Sequence, residues 1–392
     1  MRAIKYGLAL LFISCCIICF CSNSCRQASA AVDAKDSLIV INIDSLPDGP
    51  VPPLDSIYSG YKYIVDKYGS HFNDDVSFGY MVYDENHNFI TYDQSLSKVT
   101  LYDSTGNFKF YVGKSGQYSY KGEYQTSIAR GGAGNGIIYI VDDLHSIVQK
   151  YDYHNKYLGY FSISSVDIKR HPELNGMSKG KICDDVIPLP DGRLAVHYAY
   201  WAGNLPYNYV LMGRNNKIDA TKKTMDKYNG VDKVAILPQS WHYYYNSSLY
   251  VKDLSDTVYC ISGNRFIPKY VFETKNSLRK LVDAYGVNII DTEIFKLKKH
   301  YYRIGKIQET KNYLFFSFYS FPPCGYINYC CYDKKTGKAY KMFLGGQEPE
   351  LKFSNQKDTT DYILANCFFY PIINNSSVGW GKKGRVRLYV KH

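Results

Sequence analysis

KVTLYDSTGNFKF at residues 98–110, IVQKYDYHNKYLGYF at residues 147–161 and YINYCCYDKKTGKAYKM at residues 326–342 are three copies of one pattern. In each copy an apolar run ends in Tyr-Asp, a polar turn follows, and a second alternating run begins, which is the pattern of a β-hairpin. A hairpin cannot bury its own apolar face, so its repetition predicts modules that share a core. The repeat therefore favours an all-β fold built from stacked or radial units.

Turn-like breaks recur along the chain at spacings that suit one four-stranded blade each. Their separations are 49, 61, 50, 70 and 48 residues, and the two longer gaps leave room for insertions. Six such turns predict a six-bladed β-propeller with four-stranded antiparallel blades. The breaks lie near Asp103, Asp152, Gly213, Gly263, Asp333 and Gly381.

Two segments stand apart from the repeat. Within the longest gap, Asn276 and Ser277 can cap a helix that runs to Lys296, with apolar side chains recurring on one face. The early strand SLIVINI, at residues 37–43, has no local partner. We therefore predict one short inserted helix and a ring closed by the N-terminal strand, which would complete the last blade and remove an exposed sheet edge.

The N-terminus has the composition of a secretory signal over residues 1–24. A basic start precedes an almost unbroken apolar run at residues 7–20, which is too short to span a membrane. Cys25 follows small residues, as in a bacterial lipobox, and is the predicted lipidation site. Lipidation at Cys21 and ordinary cleavage after Ala30 are the alternatives.

The remainder of the chain contains no linker rich in proline or serine. We predict a lipid-anchored or flexible tether over residues 25–36 and a single propeller domain over residues 37–392. Such a chain is expected in the bacterial cell envelope, as an outer-membrane-anchored lipoprotein or in the periplasm. Without its signal the chain has 45 Lys and Arg, two fewer than the full 47, against 36 Asp and Glu, so its net charge is +9. These basic residues are scattered, which favours a solvated surface over a nucleic-acid track.

Cysteine and tyrosine usage also bear on the fold. Six cysteines remain beyond Cys25, none with metal-ligand spacing, and buried free thiols are favoured over disulfides. Cys330 and Cys331 lie in an alternating strand and are expected to point to opposite faces. The 41 tyrosines indicate above all a high content of β-strands and, less strongly, a surface for recognition.

Several stretches resemble a known family. LYDSTGNFKFYVGKSGQYSYKGEY at residues 101–124, LSDTVYCISGNRFIPKYVFETKN at residues 254–276 and KIQETKNYLFFSFY at residues 306–319 are similar to segments of the six-bladed β-propeller lipoproteins of Bacteroides and related bacteria. The resemblance implies a TolB-like propeller in the cell envelope, and its motifs are structural rather than catalytic. One departure is at residues 118–121, where Tyr-Ser-Tyr-Lys replaces the family's Gly-Pro, so the turn geometry of that loop is expected to differ.

Signatures of common enzyme classes do not occur in the sequence: G-x-S-x-G, H-E-x-x-H, a P-loop and the Rossmann glycines are all missing. The glycine-rich segment at residues 131–136 precedes a strand and predicts a hairpin loop. Adjacent aspartates could supply oxygen ligands to Ca²⁺, but such pairs at turns are mostly solvated, so we predict no metal site and no required cofactor. Asp74, Asp75, Asp142, Asp143, Asp184 and Asp185 form these pairs, and the lone histidines considered with them are His145, His171, His197 and His242.

Two aromatic segments, both predicted to be loops, are the best candidates for recognition. HYAYWAGNLPYNY at residues 197–209 and SWHYYYN at residues 240–246 mix large rings with amides, which suits stacking on a sugar or gripping a peptide. The alternative is that these rings fill the space between blades. The predicted ligand-binding residues, expected on one propeller face, are Trp201, Tyr207, Trp241 and Tyr243.

Two functions follow from these features. The favoured one is a noncatalytic cell-envelope lipoprotein, anchored to the membrane, whose propeller binds a glycan, a peptide or a partner protein. The alternative is a propeller hydrolase or lyase that uses channel-lining carboxylates and a divalent ion. The first is favoured because the sequence shows no catalytic constellation.

Overall fold

The structure is a computed structural model of the 392-residue chain. The chain divides into two compact units, residues 1–39 and residues 40–392, and the second contains nearly all the described residues. The described residues are 38–53, 60–64, 80–84, 86, 88–93, 98–104, 107–116, 118, 121–124, 130–142, 145, 147–162, 182–199, 207–223, 241–252, 256–277, 280, 301–321, 327–342, 350–351, 363–364, 376–380 and 386–390.

The described part of the chain is built from β-strands. In chain order they are β1 (Ile39–Asn42), β2 (Asp48–Gly49), β3 (Gly60–Ile64), β4 (Tyr80–Tyr83), β5 (Phe89–Asp93), β6 (Lys98–Tyr102), β7 (Phe108–Tyr111), β8 (Lys114–Ser115), β9 (Glu123–Tyr124), β10 (Gly131–Gly134), β11 (Ile137–Asp142), β12 (Ile147–Asp152), β13 (Tyr157–Ser162), β14 (Ile182–Pro188), β15 (Leu194–Ala199), β16 (Tyr207–Met212), β17 (Ile218–Lys223), β18 (Trp241–Tyr245), β19 (Ser248–Lys252), β20 (Thr257–Ser262), β21 (Arg265–Glu273), β22 (Tyr301–Glu309), β23 (Tyr313–Phe321), β24 (Ile327–Asp333), β25 (Lys338–Met342), β26 (Glu350–Leu351), β27 (Ile363–Leu364), β28 (Ser376–Trp380) and β29 (Val386–Val390).

Five antiparallel up-and-down sheets follow one another along the chain. They are sheet A (β4 to β7), sheet B (β10 to β13), sheet C (β14 to β17), sheet D (β18 to β21, with β1 beside β21) and sheet E (β22 to β25, with β2 beside β25). Sheet F combines β28 and β29 with β3, and two short pairs, β8 with β9 and β26 with β27, complete the set. Successive four-stranded antiparallel sheets give an all-β, propeller-like fold, as predicted.

The predicted turns that the structure describes join the third and fourth strands of a sheet's hairpin series. The turns near Asp103, Asp152, Gly213, Gly263 and Asp333 connect β6 to β7, β12 to β13, β16 to β17, β20 to β21 and β24 to β25. The turn predicted near Gly381 lies outside the described residues. The aspartate that begins such a turn closes it: Asp152 Oδ1 accepts hydrogen bonds from the backbone N–H groups of His154 (2.9 Å) and Lys156 (2.8 Å). These backbone donors, Lys156 first, lower the pKa of Asp152. The predicted hairpin unit is confirmed.

Consecutive sheets pack face to face. One core cluster joins sheets A and B, a second joins sheets B and C, and a third joins sheets C and D. Sheets D and E meet through Phe272 and Phe316, whose ring centroids are 4.9 Å apart. Burial of apolar side chains between neighbouring sheets thus holds the repeat together.

Buried tyrosines also bridge neighbouring sheets through their hydroxyl groups. Tyr92 of sheet A donates to the backbone carbonyl of Tyr139 in sheet B at 2.9 Å, and Tyr244 of sheet D donates to the carbonyl of Pro188 in sheet C. A tyrosine ring fills the space between sheets while its hydroxyl satisfies a buried acceptor. This explains part of the tyrosine content.

The pairing of the N-terminal strand differs from the prediction. The strand predicted at residues 37–43 was expected to complete the last blade, but β1 lies beside β21 in sheet D, and the Ile43 N–H donates to the Glu273 carbonyl at 2.9 Å. Sheet F is joined instead by β3, which pairs antiparallel with β29. An alternating pattern predicts a strand but not its distant partner, and nine-residue β21 offers a long free edge to β1.

Two segments expected to be loops are strands. Gly131–Gly134 forms β10, and the turn is confined to Asn135 and Gly136, with φ of 55° and 74°. Most of residues 240–246 forms β18, which turns at Asn246 and Ser247 with φ of 48° and 59°. In both hairpins a two-residue turn with positive φ joins the strands directly, so the preceding residues are free to pair.

The remaining expectations concern helices and cysteines. Ser277 Oγ accepts from the Lys280 N–H at 3.3 Å, as a helix cap does, but residues 281–300 lie outside the described residues. The signal and the entire predicted tether, with Cys21 and Cys25, also lie outside them. Within the described residues, no helix is long and apolar enough to cross a membrane. The four described cysteines after the signal are free thiols, as favoured; burial raises the pKa of Cys331 to about 12.

Candidate functional site

The first strand of sheet D, β18, lies between the first strands of sheets C and E. Side chains alternate along a strand, so Trp241 and Tyr243 point toward β22 of sheet E, whereas His242 and Tyr244 point toward β14 of sheet C. Every one of these four side chains hydrogen-bonds across a sheet boundary. β18 is therefore fixed on both sides, and it carries two of the four predicted ligand-binding residues.

Trp241 is held by its indole while part of its ring stays exposed. The indole N–H donates to the Ile307 carbonyl of β22 at 2.5 Å, and the Lys306 ammonium lies 5.8 Å from the ring centroid. The side chain is half-buried rather than fully enclosed. A ring fixed at its polar end, beside a cation, is an arrangement that can stack on a ligand without first being ordered.

Tyr243 lies behind Trp241 on the same face of β18, and only 1% of its surface is exposed. Its hydroxyl donates to Glu309 Oε2 at 3.1 Å, and its ring stacks on Tyr250 with centroids 4.9 Å apart. Burial, together with the Glu309 charge, raises the pKa of Tyr243 well above its usual value. In this position Tyr243 supports the strand.

Glu309 is the buried carboxylate at the centre of this network. Tyr270 donates to its Oε1 at 2.6 Å, and the Lys334 ammonium contacts the same oxygen at 2.6 Å. Lys334 also lies 4.1 Å above the ring of Tyr245, at the far end of β18. The charge of Glu309 is thus compensated within the protein.

On the other face of β18, His242 Nδ1 lies 3.2 Å from Asp185 Oδ2 of β14, and both side chains are buried. Asp185 is directly opposite His197 in the sheet C register. Burial opposes ionisation of Asp185, but the charges of His242, Arg130 and His197 and the His242 hydrogen bond outweigh it, so its pKa is lowered. A carboxylate that orients an imidazole is an arrangement used in general-base catalysis.

The four predicted ligand-binding residues do not share one exposed surface in the described part. Trp241 keeps part of its ring exposed, Tyr207 is buried at the start of β16 with 7% exposure, and Trp201 lies outside the described residues. Sequence reasoning treated Asp185 as half of a calcium pair and His242 as a lone histidine. Their pairing depends on two strands 50 or more residues apart, which no local pattern reports.

Metal ligation finds no support among the described side chains. Where the structure describes the chain, no group of three or more His, Cys, Asp or Glu residues could hold an ion. Asp142 and Asp185 each contact a histidine; His145 Nδ1 lies 2.9 Å from Asp142 Oδ2. Asp74, Asp75, Asp143 and His171 lie outside the described residues.

Comparison with known proteins gives one family and several distant structures. The family model described as a domain of unknown function, DUF4934, matches residues 76–384. No curated protein matches the chain. A solved structure of a candidate exported protein from Bacteroides fragilis aligns with a TM-score of 0.54 at 14% identity, covering 84% of this chain and 88% of that one.

Two further structures align more weakly. A member of the DUF4221 family from Bacteroides vulgatus gives a TM-score of 0.45 at 8% identity over 85% of this chain and 94% of that one. A β-propeller domain from Myceliophteria thermophila gives 0.39 at 8% identity over 80% and 96%. The Bacteroides fragilis alignment, at 14% identity, bears on the fold alone, and these two weaker alignments carry no argument.

Proposed function

The chain belongs to the DUF4934 family, a domain of unknown function, and from that premise we propose that it is a noncatalytic binding scaffold of the bacterial cell envelope. In this proposal residues 1–24 direct export, Cys25 carries a lipid, and the protein faces the periplasm or lies anchored at the outer membrane. The propeller has six blades, and β3 rather than residues 37–43 closes the ring. The pairing of β3 with β29, which joins the two ends of the domain in sheet F, supports closure.

The observation that carries the binding role is the geometry of Trp241. Its indole is anchored by the Ile307 carbonyl, its ring is partly exposed, and the Lys306 ammonium lies beside it. A fixed aromatic surface loses little conformational entropy when a glycan or peptide stacks on it. Trp201 is also proposed as a ligand contact, whereas Tyr207 and Tyr243, which are both buried, are proposed to support the surface from within.

Ligand-dependent thermal stabilisation of residues 31–392 tests this proposal. A panel of glycans and peptides, with and without Ca²⁺, is screened, because a ligand at 100 times its Kd adds about 2.7 kcal/mol to stability. We expect a stabilising ligand whose effect Trp241→Ala abolishes. Tyr245→Ala is the matched control, since Tyr245 is an aromatic residue under a lysine at the other end of the same strand. A hit that survives Trp241→Ala would place recognition elsewhere.

A second candidate function rests on the Asp185–His242 pair. When the imidazole is neutral and Nδ1–H donates to the carboxylate, Nε2 is left as a proton acceptor, as a hydrolase or lyase requires. Mass spectrometry of ligands incubated with the protein tests this alternative. Conversion by the native chain, lost in His242→Gln while ligand-induced stabilisation persists, would establish catalysis over simple binding.

A further inference from the structure

The connection between sheets A and B, residues 113–124, carries the family-like segment and is here called the 113–124 loop. Its two ends pair in parallel as β8 and β9. Tyr124 is buried, and its hydroxyl accepts a hydrogen bond from the Val99 N–H of sheet A at 3.1 Å. The loop is thereby attached to the sheet that precedes it.

Three hydrogen bonds attach the same loop to sheet B. The Gly113 N–H donates to Asn155 Oδ1 at 2.7 Å, Tyr151 donates to the Gly122 carbonyl at 2.6 Å, and Gln149 Nε2 donates to the Glu123 carbonyl at 2.5 Å. Contacts to both sheets fix the described residues at the two ends of the loop. Whatever side chains it presents to solvent are therefore presented on a rigid base.

The departure from the family pattern falls on the exposed part of this loop. Tyr118 and Lys121 lie among residues 118–121, where the sequence departs from the segment that it otherwise resembles. Tyr118 is 51% exposed, its N–H donates to Glu123 Oε2 at 3.1 Å, and the Lys121 ammonium lies 4.9 Å from its ring centroid. The substitution thus places an aromatic ring and a cation side by side on the surface.

A second exposed ring lies beside the loop. Tyr160 of β13 is 50% exposed and lies opposite Gln149, the residue that binds the Glu123 carbonyl. Tyr157, also on β13, packs against Gly122 of the loop. A Cβ added at Gly122 would lie 3.0 Å from the ring of Tyr157. Tyr118 and Tyr160 are thus both linked to Glu123, Tyr118 through its own N–H and Tyr160 through its cross-strand neighbour Gln149. Exposed apolar groups close to one another on a protein surface mark an interaction site.

Charge selects the kind of partner. Lys114 and Lys121 are exposed, and the nearby acid, Glu123, already contacts Lys114 at 3.0 Å and accepts from the Tyr118 N–H. The two lysines and one glutamate leave a net charge of +1 beside the rings. An anionic ligand with flat apolar faces complements such a surface electrostatically and by stacking.

We propose that Tyr118, Lys121 and Tyr160 form a binding site for an acidic saccharide, separate from the Trp241 site. The two rings stack on sugar faces, and the Lys121 ammonium pairs with a sugar carboxylate. A saccharide fits better than a peptide because the rings stand on a rigid base and present flat faces, whereas a peptide would need pockets for its alternating side chains.

Titration calorimetry of residues 31–392 with polygalacturonate tests the site, with dextran as the neutral saccharide and polyglutamate as the acidic peptide. We expect binding to polygalacturonate alone, weakened at least about tenfold by Tyr118→Ala or Tyr160→Ala. Lys121→Gln is expected to weaken binding and to reduce its salt dependence.

Two control variants separate this site from others. Tyr111 of β7 and Lys98 form a similar pair outside the proposed site: Tyr111 is 40% exposed, and the Lys98 ammonium lies 4.8 Å from its ring centroid. Tyr111→Ala is therefore expected to leave binding unchanged. Trp241→Ala is also expected to leave it unchanged, which distinguishes this inference from the proposed function. Absence of binding to polygalacturonate, equal binding of dextran or polyglutamate, or equal loss in Tyr111→Ala would each overturn the proposal.

Discussion

Individual tyrosine hydroxyls join neighbouring sheets, and Tyr244 offers the sharpest test. Tyr244→Phe keeps the ring but leaves the buried Pro188 carbonyl without its donor. We expect a loss of about 1–2 kcal/mol in the free energy of unfolding, measured by urea denaturation. Tyr160→Phe, at an exposed ring, is the control and is expected to change stability by less than about 0.5 kcal/mol. Equal effects of the two variants would contradict the bridging role.

Glu309 is the second residue whose loss should be costly. Glu309→Ala leaves two buried tyrosine hydroxyls and the Lys334 ammonium without their shared acceptor. We expect a loss of about 3–5 kcal/mol in urea denaturation, because breaking a buried charged network leaves its partners uncompensated. Glu309→Gln keeps the shape and one acceptor, so its cost is expected to be smaller. A loss below about 0.5 kcal/mol in Glu309→Ala would show that the network relaxes freely.

Asp185 should make stability depend on acid pH. Its pKa is lowered in the folded protein from a value of 3.8, so the folded state binds fewer protons than the unfolded state near that pH. The contribution of ionised Asp185 to the free energy of unfolding is therefore complete above the pKa of Asp185 in the unfolded chain. It is lost as the pH falls through the lower pKa of Asp185 in the folded protein. We expect the difference in unfolding free energy between the native chain and Asp185→Asn to shrink as the pH of the urea titration is lowered below about 4. A constant difference would show that Asp185 gains nothing from its cationic neighbours.

At the scale of elements, sheets B and C approach each other closely at Gly132 of β10. A Cβ added there would lie 2.1 Å from the Val186 carbonyl oxygen of β14, which is backbone and cannot turn aside. We expect Gly132→Ala to cost about 1–3 kcal/mol or more, measured by thermal and urea unfolding. Gly136→Ala is the control, because a Cβ added there meets nothing within 4 Å. Its positive φ of 74° alone is expected to lower the free energy of unfolding, by about 1 kcal/mol. A smaller loss of unfolding free energy in Gly132→Ala than in Gly136→Ala would show that sheets B and C do not pack closely at Gly132.

Local patterns predicted elements well and their distant partners poorly. Asp103 and Asp152 mark hairpins because an aspartate side chain closes its own turn, and those hairpins are confirmed. The edge that β1 joins depends on which edge remains free after sheets D and E have formed, and no pattern within residues 37–43 encodes this. The same limit explains why no local pattern predicts the Asp185–His242 pair, whereas the choice of Trp241 rests on its own aromatic neighbours and stays a prediction.

At the scale of the whole molecule, the arrangement of sheet F links residues near the two ends of the domain. β3 pairs with β29 over five residues, from Val386 opposite Ile64 to Val390 opposite Gly60. Each of the five preceding sheets takes its core hairpin series from one continuous stretch of chain. Sheet F therefore depends on a contact of very long sequence separation, which loop-closure entropy makes late to form and easy to lose.

Two truncated chains isolate this contact. Residues 50–392 lack β1 and β2 but keep β3, whereas residues 66–392 lack β3 as well. If β3 protects the edge of β29, the shorter chain should melt about 3 °C below the longer one, the shift expected for a loss of roughly 2 kcal/mol in a domain of this size. Hydrogen exchange should also rise at residues 386–390, because their backbone groups lose their partners. Equal melting temperatures and equal exchange in the two chains would show that β3 does not hold the C-terminal sheet, and that the domain does not rely on its N-terminal segment for closure.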